Sequence, residues 1–165
     1  MITTSTGSFS RTDMRLVFLD PGFRTEFGHY RNYAHQLREE ARRRRIEMMH
    51  LVSRSVKEDE ALQFDAQRLF VSSVYVSDRA NSREIDLSLH QFAAKLCPAI
   101  KLATEGALGR QVVLYMYTAS PFHLPLVAEA IHEACFSKYN VKAFICLFYL
   151  DLPFCLTGSN PAYEK

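Results

Sequence analysis

The feature that most constrains this chain is a strict alternation of two hydrophobic periods. Met14 to Leu19 is a short apolar run, stopped by Asp20-Pro21-Gly22, where Pro and Gly end regular structure. From about His29 the apolar residues fall at Tyr30, Tyr33, Ala34, Leu37 and Ala41, a spacing that puts them on one face of a helix. Arg38, Glu39, Arg42 and Arg43 occupy its solvent face. Ile46 to Val52 reads as a second strand, Glu58 to Phe64 as one or two helical turns, and Arg68 to Val76, β-branched and aromatic, as a third strand. Ile85, Leu89, Phe92, Ala93, Leu96, Ile100 and Ala103 form the next helical stripe. Pro98 inside that stripe predicts a kink or break near Cys97, because proline removes a donor and clashes with the preceding turn. Gly106 and Gly109 then close the helix, and Gln111 to Tyr117 is a fourth strand. Leu124, Val127, Ala130, Ile131, Ala134 and Cys135 mark a further helix, entered through Ser120 as N-cap and Pro121 as first helical residue. Val141 to Leu150 is apolar nearly throughout, which predicts a strand buried on both faces.

Strands alternating with helices specify an α/β domain with a parallel sheet. Right-handed crossovers make 3-2-1-4-5 the simplest strand order. The expected architecture is therefore a three-layer Rossmann-like domain with five mainly parallel strands over residues 14–150. Residues 1–13, rich in Ser and Thr, read as a flexible tail, and 151–165 as a C-terminal extension or truncated linker. The 165 residues suit one domain, and 48% hydrophobic against 23% charged residues is an ordinary globular balance.

Charge excludes some functions. Lys plus Arg is 20 and Asp plus Glu is 18, a net of +2, without the clustered basic excess of a nucleic-acid binder. The longest apolar run, Ala143 to Leu150, falls far short of the roughly 20 residues of a membrane-spanning helix. No secretory signal opens the chain. Cys97, Cys135, Cys146 and Cys155 make no C-x-x-C pair, and the first three read as small core residues of a cytoplasmic protein. No metal or cofactor motif is present: the phosphate loop G-x-x-x-x-G-K-[ST], the elbow G-x-S-x-G, H-E-x-x-H and G-x-G-x-x-G are all missing.

In an open parallel sheet of this order, ligands bind beyond the carboxyl ends of the strands where the order reverses, here between the first and fourth strands. Two loops face that crevice, Asp20 to His29 and Thr118 to His123. Gly28 allows close backbone approach and His29 opens a helix. Arg24 is a partner for a phosphate or carboxylate. Thr118 and Ser120 offer hydroxyls, and His123 faces ligand or core. His35, His50, His90 and His132 lack paired acids at ligand spacing and are set aside. Arg42 to Arg45 suits a helix C-terminus. No residue is assigned as a catalytic base.

Two segments together resemble the N-terminal domain of GT-B type glycosyltransferases. Val17 to Leu51 follows that family's opening of strand, loop ending in Gly-His, helix and second strand, with Asp20, Gly28, His29, Tyr33 and Leu37 as the matching residues. Gln111 to Phe148, with VVLYMYTASPFHLPL, is similar to its fourth strand and following helix. Where the family usually places Gly before the second strand, this chain has Arg45. The resemblance implies an acceptor-side domain acting in sugar transfer from a nucleotide sugar to an acceptor. His29 would contact substrate or diphosphate, and Thr118, Ser120 and His123 would line the acceptor side. The donor-binding half would be supplied by a second domain absent from this chain, which is then inactive alone. The competing expectation is a non-catalytic Rossmann-like binding or interaction module, with the apolar stretch Phe144 to Phe154 facing a partner chain. A response-regulator reading is discounted, because Asp20 has no neighbouring acid in sequence.

Overall fold

A computed structural model describes residues 14–23, 28–71, 82–107, 109–119, 123–135 and 140–147. The element order is β1 (Met14–Asp20), α1 (Gly28–Arg43), β2 (Glu47–Ser53), α2 (Glu58–Gln63), β3 (Ala66–Phe70), α3 (Ser82–Thr104), β4 (Gln111–Ala119), α4 (His123–Cys135) and β5 (Asn140–Leu147). The sheet order is β3-β2-β1-β4-β5 and all four pairings are parallel. The expected Rossmann-like α/β architecture is the observed one. The expectations for residues 1–13, Arg24, Ser120, Pro121 and 151–165 fall outside the described residues.

Because successive strand residues point to opposite faces, the sheet sorts its side chains into two cores. Val17 and Leu19 of β1, Leu51 of β2 and Val112, Leu114 and Met116 of β4 face α3 and α4, and meet Phe92, Leu96, Ile100 and Val127 there. Phe18 and Val52 face the other way, toward Tyr30 and Ala34 of α1 and Ala61 of α2. Phe18, Phe23, Phe70, Leu19, Leu51 and Leu96 are among the largest fully buried side chains, each contributing on the order of 1.5–3 kcal/mol by leaving water.

The amino-terminal ends of the strands are tied by one buried cation. Arg15 Nη1 donates to the carbonyls of Ala103 (2.9 Å) and Glu105 (2.6 Å), and so satisfies acceptors left free at the end of α3. Its Nη2 lies 2.8 Å from Glu47, which also takes Arg110 at 2.5 Å. Burial pushes the Glu47 carboxyl up, but hydrogen bonds from Arg110 and Arg15 outweigh it and hold the group below its ordinary value.

The helix-to-strand turns on this side need left-handed backbone. Arg45 N–H donates to Arg42 O (3.0 Å) and Ile46 N–H to Ala41 O (2.8 Å), the two bonds of a Schellman ending. Its left-handed position is filled by Arg45 at φ 56, while the turn before β4 uses Gly106 (φ 65) and Gly109 (φ 81). The basic end of α1 is as expected: Arg42 pairs with Glu39 at 3.0 Å, and Arg43 (2.7 Å) and Arg44 pair with Glu40.

Three expectations are corrected. Of the kink or break expected near Cys97, the break does not occur: helix α3 is continuous through Pro98 to Thr104. Pro98 and Ala94, the residue whose carbonyl loses its partner, are both exposed, which lowers the cost of the lost bond. Strand β5 is not buried on both faces: Lys142 and Ala143 are exposed and Phe144 is 57% exposed. The strand is an edge of the sheet, paired only with β4 among the described residues. Cys97 is half-buried rather than a core residue, with Sγ 3.7 Å from a carboxylate oxygen of Glu133 across the α3–α4 contact.

Candidate functional site

Strand β1 lies between β2 and β4, so the connections leave its carboxyl end and that of β4 toward opposite faces. That is the switch point at which a crevice opens in sheets of this kind. Gly28 is the first residue of α1 and His29 the second; Thr118 is the penultimate residue of β4 and His123 the first of α4. In an all-parallel sheet, all four therefore gather at the carboxyl end of the strands. The side chains of His29 and Thr118 lie outside the described residues. His123 is 4% exposed and meets Phe92 of α3 edge-on, with ring centroids 4.9 Å apart. Of its two expected directions, it takes the core.

A pair that sequence spacing passed over stands at the same end. Asp20 closes β1, and its carboxylate oxygen Oδ2 lies 3.5 Å from His50 Nε2 of β2. The register explains the meeting. Phe18 is aligned with His50 across the β1–β2 ladder, and Asp20, two residues on, projects from the same face as Phe18. Both side chains are almost wholly removed from solvent, at 2% and 3% exposure. The imidazole is stacked on Phe18 at 4.8 Å and capped edge-on by Phe23 at 5.3 Å. Phe23 is held over it by a turn in which its N–H donates to Asp20 O at 3.1 Å.

This apolar clamp leaves the pair under-bonded. Asp20 Oδ1 and His50 Nε2 have no hydrogen-bond partner among the described residues, an uncommon condition for buried polar groups. Burial raises the Asp20 carboxyl above its ordinary value, and the nearby His50 only partly offsets it. A raised carboxyl beside an imidazole at the carboxyl end of a parallel sheet is the type of arrangement that marks functional sites.

Phe18, which stacks on the imidazole, also meets Tyr33 at 6.1 Å and Tyr115 at 5.6 Å. Tyr33 of α1 shares a short hydrogen bond with Tyr115 of β4 and stacks on Tyr117 at 4.1 Å. Tyr30 meets Tyr117 edge-on at 6.4 Å. No group of three or more His, Cys, Asp or Glu side chains able to hold a metal ion occurs among the described residues. No helix among them is long and apolar enough to cross a membrane. Comparison with family models, with curated proteins and with solved structures finds no match for the chain.

Proposed function

We propose that the chain is a Rossmann-like binding domain of the glycosyltransferase type, receiving a polar acceptor in the crevice beyond the carboxyl ends of β1 and β4. The observation that carries this reading is the buried Asp20–His50 pair at the switch point. A carboxyl group with an unpartnered oxygen supplies the hydrogen bond that orients a sugar hydroxyl, and the ligand in turn supplies the bond that Asp20 lacks. His50 stands deeper, at the level of Phe18, and acts as a positioning residue through Asp20. Gly28 and His29 at the start of α1 contribute backbone donors to an anionic group of the substrate. Thr118, near the end of β4, is a further acceptor-side residue in this reading. The nucleotide-sugar donor is bound outside this domain, and the domain by itself carries out no transfer.

The test is an amide-shift titration of the full chain with simple saccharides, and separately with uridine and guanosine diphosphate sugars. The expected result is saturable shifts at Asp20, Gly28 and Ala119 with a saccharide, together with no turnover of any sugar nucleotide. Shifts confined to the Arg15 end of the sheet, an absence of saturable shifts, or sugar-nucleotide turnover by the chain alone would overturn the proposal.

A further inference from the structure

Away from the crevice, α1 and the end of α2 enclose a groove of about 300 Å³ lined by Arg31, Asn32, His35, Arg38, Gln63 and Phe64. Arg31, His35 and Arg38 recur at the spacing of one helical face, so a single element presents two guanidinium groups and an imidazole to the same space. Asn32 and Gln63 add amide donors. Five of the six lining side chains thus carry N–H donors, and the sixth is the floor.

The two guanidinium groups are held rather than free. Arg31 Cζ lies 6.0 Å from the ring centroid of Phe64. Phe64 is itself buried and braced edge-on by Phe23 at 5.1 Å. On the other side, Arg38 Nη2 lies 2.7 Å from Asp65 Oδ2. Asp65 takes a left-handed backbone at φ 44, a conformation uncommon outside glycine. This contact occupies one nitrogen of Arg38 and leaves the rest of its donor fork available. The contrast with the far end of the same helix is direct: Arg42, Arg43 and Arg44 are matched by Glu39 and Glu40, whereas Arg31 has no carboxylate partner among the described residues.

We infer that this groove is a binding site for a phosphate group, free or carried as a monoester, held between Arg31 and Arg38 with His35, Asn32 and Gln63 as further donors. Planar guanidinium forks match the oxygen pairs of phosphate, and Phe64 keeps the Arg31 fork in place beforehand. Asp65 fixes Arg38 but also sets a negative charge against the incoming anion. The site stands apart from the acceptor proposal and does not depend on it.

The experiment is an amide-shift titration of the full chain with inorganic phosphate and with glycerol 3-phosphate, each against chloride at matched ionic strength. Saturable shifts at Arg31, Asn32, His35 and Gln63 with either probe are expected. Arg31→Gln and Arg38→Gln should each weaken them by about tenfold, with thermal midpoints confirming that the variants remain folded. Asp65→Asn is the sharper arm. Asn tolerates the left-handed backbone and its carbonyl still accepts from Arg38, while the opposing charge is gone, so binding should tighten several-fold. The inference is overturned if neither probe saturates beyond chloride, if the arginine variants bind as the parent does, or if Asp65→Asn weakens binding or leaves it unchanged.

Discussion

The two ends of the central strands handle buried charge in opposite ways. At the amino-terminal end, Arg15 is shared among two carbonyls and Glu47, and Glu47 takes a second cation from Arg110. At the carboxyl end, Asp20 Oδ2 and His50 Nε2 lie 3.5 Å apart, and Asp20 Oδ1 and His50 Nε2 have no hydrogen-bond partner among the described residues. Each end leaves two buried polar atoms without a hydrogen-bond partner among the described residues, Arg15 Nε and Arg110 Nε at one and Asp20 Oδ1 and His50 Nε2 at the other, so the difference lies in the bonds that each charged side chain does make. Several charge-assisted hydrogen bonds shared by one buried cation stabilise a fold, whereas a buried charge with a single long contact costs stability. The molecule is therefore braced at one end of the sheet and left chemically open at the other, where sheets of this order take their ligands.

The largest effect should come from breaking the braced end. Arg15→Leu keeps an apolar stem but strips the carbonyls of Ala103 and Glu105 of their donor. We expect a loss of about 2–3 kcal/mol, read from the shift in denaturant midpoint. A loss below about 1 kcal/mol would mean that the network is ornamental and that the two ends do not differ in this way.

Asp20→Asn probes the open end and should cost less than about 1 kcal/mol near neutral pH, because it removes a charge that burial already disfavours. The pH dependence is the more telling readout. The Asp20 carboxyl is raised above its ordinary 3.8 in the folded protein, so the folded state holds that proton more tightly than the unfolded chain. Its stabilising contribution is full below 3.8 and is lost as pH rises through the raised folded value. Asp20→Asn should therefore gain on the parent as pH rises. Glu47 has the opposite sign. Held below 4.5 in the fold, it contributes above that value and loses its contribution as pH falls, so Glu47→Gln should lose its disadvantage in acid. Parallel pH curves for the two variants would dissolve the comparison.

The sequence carried the architecture well because the central strands are mostly apolar and the helical stripes are long. It misread β5 for the same reason: a run of apolar residues looks alike in the middle of a sheet and at its edge, and only the pairing partners expose Phe144. Pro98 does not end α3, because a proline costs a helix less when the residue whose carbonyl it orphans, Ala94, is exposed. Strand order was legible, and it sets β1 beside β4 as expected. The Asp20–His50 pair was missed because acids were sought near each histidine in sequence, whereas these residues meet through ladder register. The signal was available: Asp20 and His50 are polar positions within otherwise apolar strands, and aligning Phe18 with His50 brings both onto one face. The groove beside Arg31 had no such signal, since α2 returns to α1 only through the tertiary fold.

The smallest expected effect tests how far the braced end has been optimised. The turn before β4 meets its need for left-handed backbone with Gly106 and Gly109, whereas the turn before β2 uses Arg45 at φ 56. An L side chain there costs roughly 1–2 kcal/mol, of which glycine recovers only part, since it also frees the unfolded chain by about 0.5–1 kcal/mol. Arg45 is exposed, and its backbone N–H, which donates to Arg42 O at 3.0 Å, is kept by any residue but proline. Arg45→Gly should therefore stabilise by about 0.5 kcal/mol, read as a higher denaturant midpoint at unchanged slope. A destabilised variant would show that the Arg45 side chain makes a contribution larger than its backbone strain. The braced end would then be fully tuned, and the under-bonded Asp20–His50 pair would be the more exceptional feature of the sheet.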